Sequence, residues 1–312
     1  MKLLLLSKEN IPLAKGEAEA LLGKGILKQN ILLINTKKTT NRLAQTKLIG
    51  ELIFQATKST IESKIKKFNW NKIIKGTFAL DFIENGITHQ TLSRVYGGLI
   101  YDNLKNPKVD LTNPNTKFTI IKSNNVFYLI KEEWKNNEGF FHRKPRTWPE
   151  RAPITLDPKL ARTCVNLTGA TKEIYDPFCG IGGFLIEAGL MKLFAIGSDI
   201  DKKFLNSCSI NLQHHKISKY LLFPQDALKI KKKYDYVVTD VPYGKNTKNI
   251  TKTFYVEFLN NLNKILKKRA VLMFPNFANA DSIIKKAKLK IKGKYSVFIH
   301  SSLTREIFVV EK

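Results

Sequence analysis

Four apolar segments in the second half of the chain each end in an aspartate. These four acids are Asp176, Asp199, Asp226 and Asp240. An ionised carboxylate is costly to bury unless a donor or a cation pairs with it, so acids repeated at the ends of apolar segments indicate a site. Carboxylates accept hydrogen bonds from amines and hydroxyls, and a suitably placed one can accept a proton during a reaction. We therefore expect these acids to bind a polar ligand and to act in its chemistry.

The first acid opens a glycine-rich segment, DPFCGIGGF, at residues 176–184. Its glycines let the backbone approach a ligand closely, and Asp176 can orient a water molecule or a ligand amine. Alone, this pattern is weak, because many nucleotide-binding folds and some tight turns contain a glycine-rich turn between strand and helix. The predicted cofactor contacts in this segment are Asp176, Phe178, Gly180 and Gly182.

The next two acids indicate which kind of cofactor is bound. Asp199 follows Asp176 by about twenty residues, a spacing at which an acid hydrogen-bonds ribose hydroxyls and repels a phosphate. Asp226 can accept a hydrogen bond from an adenine amine. The glycine loop lacks the Lys-Ser/Thr pair of phosphate-binding loops, so an adenosine without phosphates is favoured, and S-adenosylmethionine fits that description. The predicted contacts here are Asp199, Ile200, Asp226 and Ala227.

The elements that must position these acids alternate regularly from residue 157 onward. PKLARTCVNLTGA has helical spacing, short apolar strands then alternate with helices, and two strands, KYSVFIHSS and TREIFVVEK, close the chain. This alternation predicts an α/β fold with a doubly wound, mostly parallel sheet. Ligands bind such sheets at the carboxyl ends of the strands, where the four acids are expected.

The first half of the chain is predicted to be a separate α/β region. KLLLLS, NILLINT and KGTFALDFI are typical of strands, and THQTLSRVYGGLIYDNL is typical of a helix. Its acids are scattered, and we find no catalytic constellation there. Residues 135–154 then mix prolines, basic residues and aromatic residues without a period, which is typical of a linker. Such a segment either straps two domains together or contacts a nucleic acid.

The motifs as a whole resemble those of a known enzyme family. Residues 155–312 resemble a class I, Rossmann-like methyltransferase with a seven-stranded sheet. TDVPYG is similar to the Asp/Asn-Pro-Pro-Tyr motif of enzymes that methylate exocyclic amines of bases. TLDPKLARTCVNLTGA and HSSLTREIFV resemble archaeal tRNA guanine N2-methyltransferases, whose target is guanine 10. VDLTNPNTKFTIIKSNNVFYLIKEEW is similar to the end of the THUMP domain that these enzymes carry.

The resemblance implies a domain order and a partner. It predicts a ferredoxin-like segment over 1–60, a THUMP-like RNA-binding domain over 61–134, a linker over 135–154 and a methyltransferase domain over 155–312. It names tRNA as the partner, with the acceptor end on the THUMP-like domain and the target guanosine in the methyltransferase domain. One or two methyl groups would be transferred.

The resemblance also gives the predicted catalytic residues their roles. The amine of guanine is a poor nucleophile because its lone pair is delocalised into the ring. Asp240 and the carbonyl of Val241 can accept its two hydrogens, and Asp240 can take the proton that leaves. Pro242 would fix the turn, and Tyr243 would stack on the extruded base. Because the family has proline in place of Val241, we expect a turn with less rigidity that keeps its carbonyl acceptor.

Charge supports a nucleic-acid partner. The chain has 53 Lys and Arg against 26 Asp and Glu, a formal charge of +27, which attracts polyanions. A bias of the coding genome toward lysine is the alternative, but glutamate is not enriched alongside. The excess of lysine over arginine favours phosphate contacts that do not depend on sequence.

Cysteine usage and the absence of long apolar runs indicate the compartment that we expect. The three cysteines have no CxxC spacing, which predicts neither a disulfide framework nor a metal site and fits a reducing cytoplasm. The apolar stretch in MKLLLLSKEN is too short for that of a signal peptide and no small-residue cleavage site follows it, and no run elsewhere approaches the length that spans a membrane. We expect a cytoplasmic monomer without a membrane partner.

Two alternatives stay open. The enzyme could modify another position in tRNA or ribosomal RNA, or an amine in DNA, although no region that would read a DNA groove is evident. The chain could instead be a catalytically silent RNA-binding protein in which Val241 marks decay of the motif, although its four acids are intact. His300 and Arg305 are expected either near the substrate or in core or surface pairs, and Cys179 is expected to serve packing.

Overall fold

The computed structural model describes residues 1–152, 156–243 and 252–312. Gly244 of the TDVPYG motif and residues 153–155, where the predicted linker ends and the predicted methyltransferase range begins, lie outside the described residues. Within the described ranges, no helix has the length and hydropathy to cross a membrane. The same ranges contain no cluster of three or more His, Cys, Asp or Glu side chains that could hold a metal ion.

The chain folds into two compact units, and its first 46 residues contribute segments to each unit in turn. The first unit contains Met1–Lys8, Lys24–Asn41 and Thr46–Asn136, and the second contains Glu9–Gly23, Arg42–Gln45 and Asn137–Lys312. Helix α1 (Ile11–Leu22) therefore belongs to the second unit. The domain ranges predicted from the sequence follow motif resemblance rather than contacts, and they stay a prediction.

The first unit is built on an eight-stranded sheet. Its strands are β1 (Lys2–Leu6), β2 (Gly25–Lys28), β3 (Ile31–Ile34), β4 (Thr46–Ala56), β5 (Phe78–Glu84), β6 (Ile87–Thr88), β7 (Thr116–Ser123) and β8 (Val126–Lys135), and its helices are α2 (Ile61–Lys67) and α3 (Gln90–Tyr101). The strand order is β2-β3-β1-β4-β8-β7-β5-β6, and only the β5–β7 pair is parallel. Consecutive residues along a strand, such as Ile120 and Ile121, enter two different apolar cores because successive side chains point to opposite faces.

The second unit contains a seven-stranded sheet with helices between its strands. Its further helices are α4 (Pro158–Thr168), α5 (Gly183–Leu190), α6 (Lys202–His214), α7 (Lys252–Ile265) and α8 (Ala280–Lys286), and its strands are β9 (Glu173–Asp176), β10 (Phe194–Asp199), β11 (Tyr220–Pro224), β12 (Tyr234–Asp240), β13 (Leu266–Pro275), β14 (Lys290–His300) and β15 (Leu303–Glu311). The order is β11-β10-β9-β12-β13-β15-β14. The five strands β11, β10, β9, β12 and β13 are mutually parallel, and β15 is antiparallel to both of its neighbours. The predicted doubly wound, mostly parallel sheet is confirmed.

Consecutive apolar side chains of the central strands β9 and β12 enter the cores on opposite faces of the sheet. Ile174 and Val238 enter the core on one face of the sheet, whereas Tyr175 and Val237 enter the core on the other face. Both faces are covered, which is the usual condition of a parallel sheet. The first polar side chains beyond these cores are therefore at the carboxyl ends of β9 and β12.

Helix α4 shows how local sequence sets an element of this unit. The Asp157 carboxylate accepts the N–H of Lys159 at 2.9 Å, and Pro158 occupies the first turn, where no N–H is needed. Gly169 ends the helix in the left-handed conformation, with φ of 75°. The helix predicted from PKLARTCVNLTGA is confirmed within these limits.

Candidate active site

A cavity of about 210 Å³ lies in the second unit at the carboxyl ends of β9 and β12. Seven of the twelve predicted site residues line it. The complete lining is Ala152, Leu156, Asp176, Phe178, Cys179, Gly180, Ile181, Gly183, Phe184, Phe204, Asp240, Val241, Pro242 and Tyr243. The glycine loop and the acid-Val-Pro-Tyr turn are far apart in sequence. Both contribute to the lining of one cavity because β9 and β12 are neighbours in the sheet.

Asp176 is a buried acid held by neutral donors. Its Oδ1 accepts the N–H of Phe178 at 3.1 Å and the hydroxyl of Thr239 at 2.7 Å. Burial raises the pKa of Asp176 to about 7, although these two hydrogen bonds oppose the rise. No cation among the described residues pairs with this carboxylate, so a positively charged ligand group in the cavity would be a favourable partner.

The glycine loop between β9 and α5 needs glycine at two positions. Gly180 and Gly182 have φ of 48° and 100°, values that favour glycine. A Cβ on Gly180 would meet no atom within 4 Å, so the loop leaves open space on its cavity side. A Cβ on Gly182 would come within 2.9 Å of Cys208 Sγ, which indicates close packing against α6.

Asp199 holds the glycine loop in place. Its Oδ2 accepts the N–H of Gly180 at 3.0 Å, and its Oδ1 accepts the N–H of Asp201 at 3.0 Å. Burial raises the pKa of Asp199 above its ordinary value. The side chain does not belong to the cavity lining, although its contact with Gly180 places it next to that lining.

Four further predicted cofactor contacts, Gly182, Ile200, Asp226 and Ala227, do not line the cavity. Ile200 is 75% exposed. The Asp226 carboxylate accepts the N–H of Leu228 at 2.9 Å and so caps a short turn, while Ala227 is buried in the core. Asp226 follows β11, the edge strand of the sheet, two strands away from β9. A role for these residues in cofactor binding stays a prediction.

Asp240 ends β12 with one oxygen paired and one oxygen without a partner. Arg305 Nη2 lies 3.1 Å from Oδ2. Oδ1 is buried, and none of the described residues forms a hydrogen bond with it. Burial raises the pKa of Asp240 to about 6, and the charge of Arg305 acts against that rise. A buried acceptor without a donor is rare in folded proteins, and this one belongs to a residue that lines the cavity, where a ligand could supply the donor.

Arg305 joins Asp240 to the tyrosine of the same motif. It lies on β15, opposite Pro275 of β13, and only 5% of it is exposed. Its Nε donates to the hydroxyl oxygen of Tyr243 at 2.9 Å. The sequence alone left Arg305 undecided between the site and the core, and the structure places it directly against the predicted catalytic acid. His300, by contrast, is exposed, and its Nδ1 lies 3.0 Å from the hydroxyl of Ser302.

Val241 is restrained by a bond that proline could not make. Its N–H donates to the carbonyl of Met273 at 3.0 Å, which extends the β12–β13 pairing by one residue. Its side chain is buried, and Tyr255 donates to the next carbonyl, that of Pro242, at 3.2 Å. Proline has no N–H, so the loss of rigidity expected at this position is offset by backbone pairing.

Two residues of the site lacked a clear sequence signal. Thr239 is fully buried and binds Asp176, and its only signal was its place before Asp240 in the motif. Phe204 lines the cavity from the first turn of α6 while 43% of it is exposed. Cys179 lines the cavity as a buried free thiol, so its position is compatible with the packing role expected for it.

Comparison with known proteins identifies the family. The model of family UPF0020, described as RMKL-like, methyltransferase domain, matches residues 145–307. The chain is 33% identical over 283 residues to a tRNA (guanine(10)-N2)-dimethyltransferase of Methanothermobacter thermautotrophicus, which covers 87% of this chain and 84% of that protein. A Pyrococcus abyssi protein of the same name is 33% identical over 257 residues, 79% of this chain and 78% of that protein.

The chain belongs to the archaeal tRNA (guanine(10)-N2)-dimethyltransferase family. The resemblance to this methyltransferase family is thereby confirmed, whereas the THUMP-like domain stays a prediction. The protein is an S-adenosylmethionine-dependent methyltransferase. TrmN from Thermus thermophilus has a similar fold, with a TM-score of 0.50 at 17% identity over 100% of this chain and 99% of that one.

The cavity fits the cofactor of this family. Gly180 leaves room for close approach of a ligand, and Asp176 offers a carboxylate without a cation to the amino group of an amino-acid moiety. Asp199 lies beside the loop, where its carboxylate accepts the N–H of Gly180. When bound, S-adenosylmethionine supplies an electrophilic methyl group.

Proposed function

We propose that this protein methylates the exocyclic N2 amine of guanine 10 in tRNA, adding one or two methyl groups. The observation that carries the proposal is Asp240 Oδ1, a buried acceptor that no described residue satisfies, in the wall of the cavity that also contains Asp176. The names of the relatives at 33% identity support guanine in tRNA as the substrate.

Asp240 would activate the amine in two ways. Its Oδ1 accepts one amine hydrogen, which draws the lone pair out of conjugation with the guanine ring. As positive charge develops on the nitrogen, the carboxylate stabilises it and then takes the proton. The carbonyl of Val241 would accept the second hydrogen. Both groups are carried by a turn whose backbone is pinned to β13, so little reorganisation is needed.

Tyr243 would hold the extruded base. Its ring lines the cavity, and its hydroxyl accepts a hydrogen bond from the buried Arg305. A ring that is fixed at its hydroxyl end presents a stable face for stacking, which offsets part of the cost of unstacking the base from the tRNA.

The first unit would bind the tRNA at its acceptor end, away from the target nucleotide. The segment of this chain that ends with β8 resembles the end of a THUMP domain, and we infer that this unit holds the acceptor end of the tRNA. The distance from that end would then select the nucleotide, which is compatible with lysine-rich contacts that do not read sequence. We further propose that the protein acts as a monomer in the cytoplasm.

An unmodified tRNA transcript tests the proposal. The purified protein and S-adenosylmethionine are incubated with the transcript, and digested nucleosides are identified by mass spectrometry. We expect N2-methylguanosine or N2,N2-dimethylguanosine. A matched transcript with inosine at position 10 lacks only the target amine and should yield neither. Methylated adenosine or cytidine, or undiminished product from the inosine transcript, would contradict the assigned target.

A further inference from the structure

The chain segment before the methyltransferase fold carries an exposed aromatic ring with two cations close to it. Phe141 is 60% exposed. The guanidinium carbon of Arg146 lies 4.9 Å from the centre of its ring, and Lys144 Nζ lies 5.4 Å from it. We call Phe141, Lys144 and Arg146 the FKR surface. Arg146 is exposed and Lys144 is half-buried, and neither forms a salt bridge in the described parts of the chain, so both charges remain available to a polyanion.

The neighbouring ring, Phe140, is half-buried and lies close to two guanidinium groups, of which that of Arg162 is buried. Phe140 lies 4.4 Å from the guanidinium carbon of Arg143 and 5.3 Å from that of Arg162. Both arginines pair with Glu187 of α5, at 2.6 Å for Arg143 Nε and 2.7 Å for Arg162 Nε. Glu138 closes the network by pairing with the same two arginines at 2.9 and 2.7 Å.

This network fixes the segment without adding much stability. Buried ion pairs roughly balance their desolvation cost, and their best supported benefit is to specify one arrangement of the chain. The indole N–H of Trp148 adds a second anchor by donating to the carbonyl of Arg143 at 2.9 Å, with the ring buried in the core. The FKR surface is therefore presented in a fixed orientation between two anchors, Arg143 and Trp148.

The same segment leads to the reaction site. Glu150 binds α6 through the hydroxyl of Ser207 at 2.9 Å, and Asn211 of that helix donates to the carbonyls of Glu150 and Ile181. Ala152 lines the cavity. A ligand that enters the cavity and extends along this segment would thus meet the FKR surface within one continuous stretch of chain.

We propose that the FKR surface binds the tRNA substrate outside the target nucleotide, with Phe141 stacking on an unpaired base and the two cations contacting phosphates. Aromatic rings accept any base, and lysine and arginine contact phosphates irrespective of sequence. This inference rests on the proposed function for the identity of the polyanion. It explains why a segment without catalytic groups carries both an exposed ring and unpaired cations on an immobilised backbone.

Direct binding of a fluorescently labelled unmodified tRNA transcript tests the inference. Phe141→Ala should raise the dissociation constant by about fivefold or more, because stacking on an aromatic side chain contributes roughly 1–3 kcal/mol per base. Phe141→Tyr keeps the ring and should bind as the wild type does. Loss of affinity in both variants, or in neither, would overturn the stacking role.

The salt dependence tests the two cations separately. Lys144→Gln with Arg146→Gln should lower the slope of log affinity against log salt by about 2, because each phosphate contact contributes roughly one to that slope. Lys267→Gln with Lys268→Gln makes the same change in net charge at lysines that pair with Asp235, and it should leave the slope nearly unchanged. Equal slopes for the two double variants would overturn the phosphate contacts.

The outcome is separable from that of the proposed function. Affinity for S-adenosylhomocysteine and the thermal unfolding midpoint should match the wild type in every variant, which shows that the methyltransferase fold is intact. Binding that depends on Phe141 without methylation by the wild type would contradict the proposed function only. Methylation by the wild type with unchanged tRNA affinity in Phe141→Ala would contradict this inference only.

Discussion

The acids at the two central strand ends of the second unit differ from those at the two outer strand ends. Asp176 and Asp240 line the cavity, and burial raises the pKa of each, to about 7 and about 6. Asp199 and Asp226 instead use their oxygens to accept backbone N–H groups of adjacent loops. An acid at a strand end can therefore serve a ligand or serve the loop that surrounds the ligand.

The two central acids also differ from each other. Within the described ranges, Asp176 is satisfied by neutral donors and pairs with no cation, whereas Asp240 has the charge of Arg305 on one oxygen and no donor on the other. The first arrangement suits a carboxylate that binds a positively charged group. The second suits a carboxylate that stays ionised and accepts a proton. This division predicts which substitution affects binding and which affects the reaction.

The largest expected effect is that of Asp240→Asn. The amide keeps the size of the side chain but cannot take the amine proton, so methyl transfer should fall by about 10³-fold, within the range of general base catalysis. Methyl incorporation into an unmodified tRNA transcript measures it. Retention of more than a tenth of the wild-type rate would show that Asp240 is not the proton acceptor.

Removal of the cation beside Asp240 is expected to have the next largest effect. In the wild type at saturating cofactor, kcat should fall about tenfold per pH unit below pH 6, because the raised pKa leaves Asp240 protonated there. Arg305→Gln should move this acidic limb upward by about one unit, since a neighbouring opposite charge lowers a carboxyl pKa by roughly that amount or more.

The matched control for Arg305→Gln is Arg305→Lys, which keeps the charge and should keep the limb near its wild-type position. Among the described residues, the other titratable groups that interact electrostatically with Asp240 are Asp176 on β9, Cys164 on α4, Tyr255 on α7 and Tyr243. None of them is a cation. An acidic limb that stays in place in Arg305→Gln would mean that Arg305 only supports the fold.

A smaller effect is expected where a neutral donor is lost. Thr239→Val removes the hydroxyl that donates to Asp176 and keeps the shape of the buried side chain. The pKa of Asp176 should rise further, and affinity for S-adenosylmethionine at pH 7 should fall by about fivefold, equivalent to one neutral hydrogen bond. Thr239→Ser restores the hydroxyl, and calorimetry should show that it also restores affinity.

The smallest effect is expected at the outer edge of the sheet. Asp226→Asn keeps an oxygen that can cap the turn at Leu228, so cofactor affinity should change by less than about twofold. A tenfold loss in calorimetry would instead establish the adenine contact that the sequence predicts. It would also remove the distinction between central and outer acids.

The periodicity of apolar residues made much of the fold predictable, and two sequence motifs made half of the residues that line the cavity predictable. Strand-helix alternation indicated the doubly wound sheet, and the glycine loop and the acid-Val-Pro-Tyr turn were found because each is a run of neighbouring residues. Arg305 could not be assigned in this way. Its contact with Asp240 depends on the register of β15 on β13, which no local pattern encodes. The first-half strands β2 and β4 were also not identified, and α1 gave no sign that it packs with the second unit.

The measurement that tests the account most directly is the single-turnover rate of tRNA methylation as a function of S-adenosylmethionine concentration in Asp176→Asn and Asp240→Asn. The account predicts that Asp176→Asn approaches the wild-type rate once the cofactor is saturating, because that acid serves binding. It predicts that Asp240→Asn stays slow at every concentration, because that acid serves proton transfer. Recovery of Asp240→Asn with added cofactor, or failure of Asp176→Asn to recover, would contradict the division between the two strand ends.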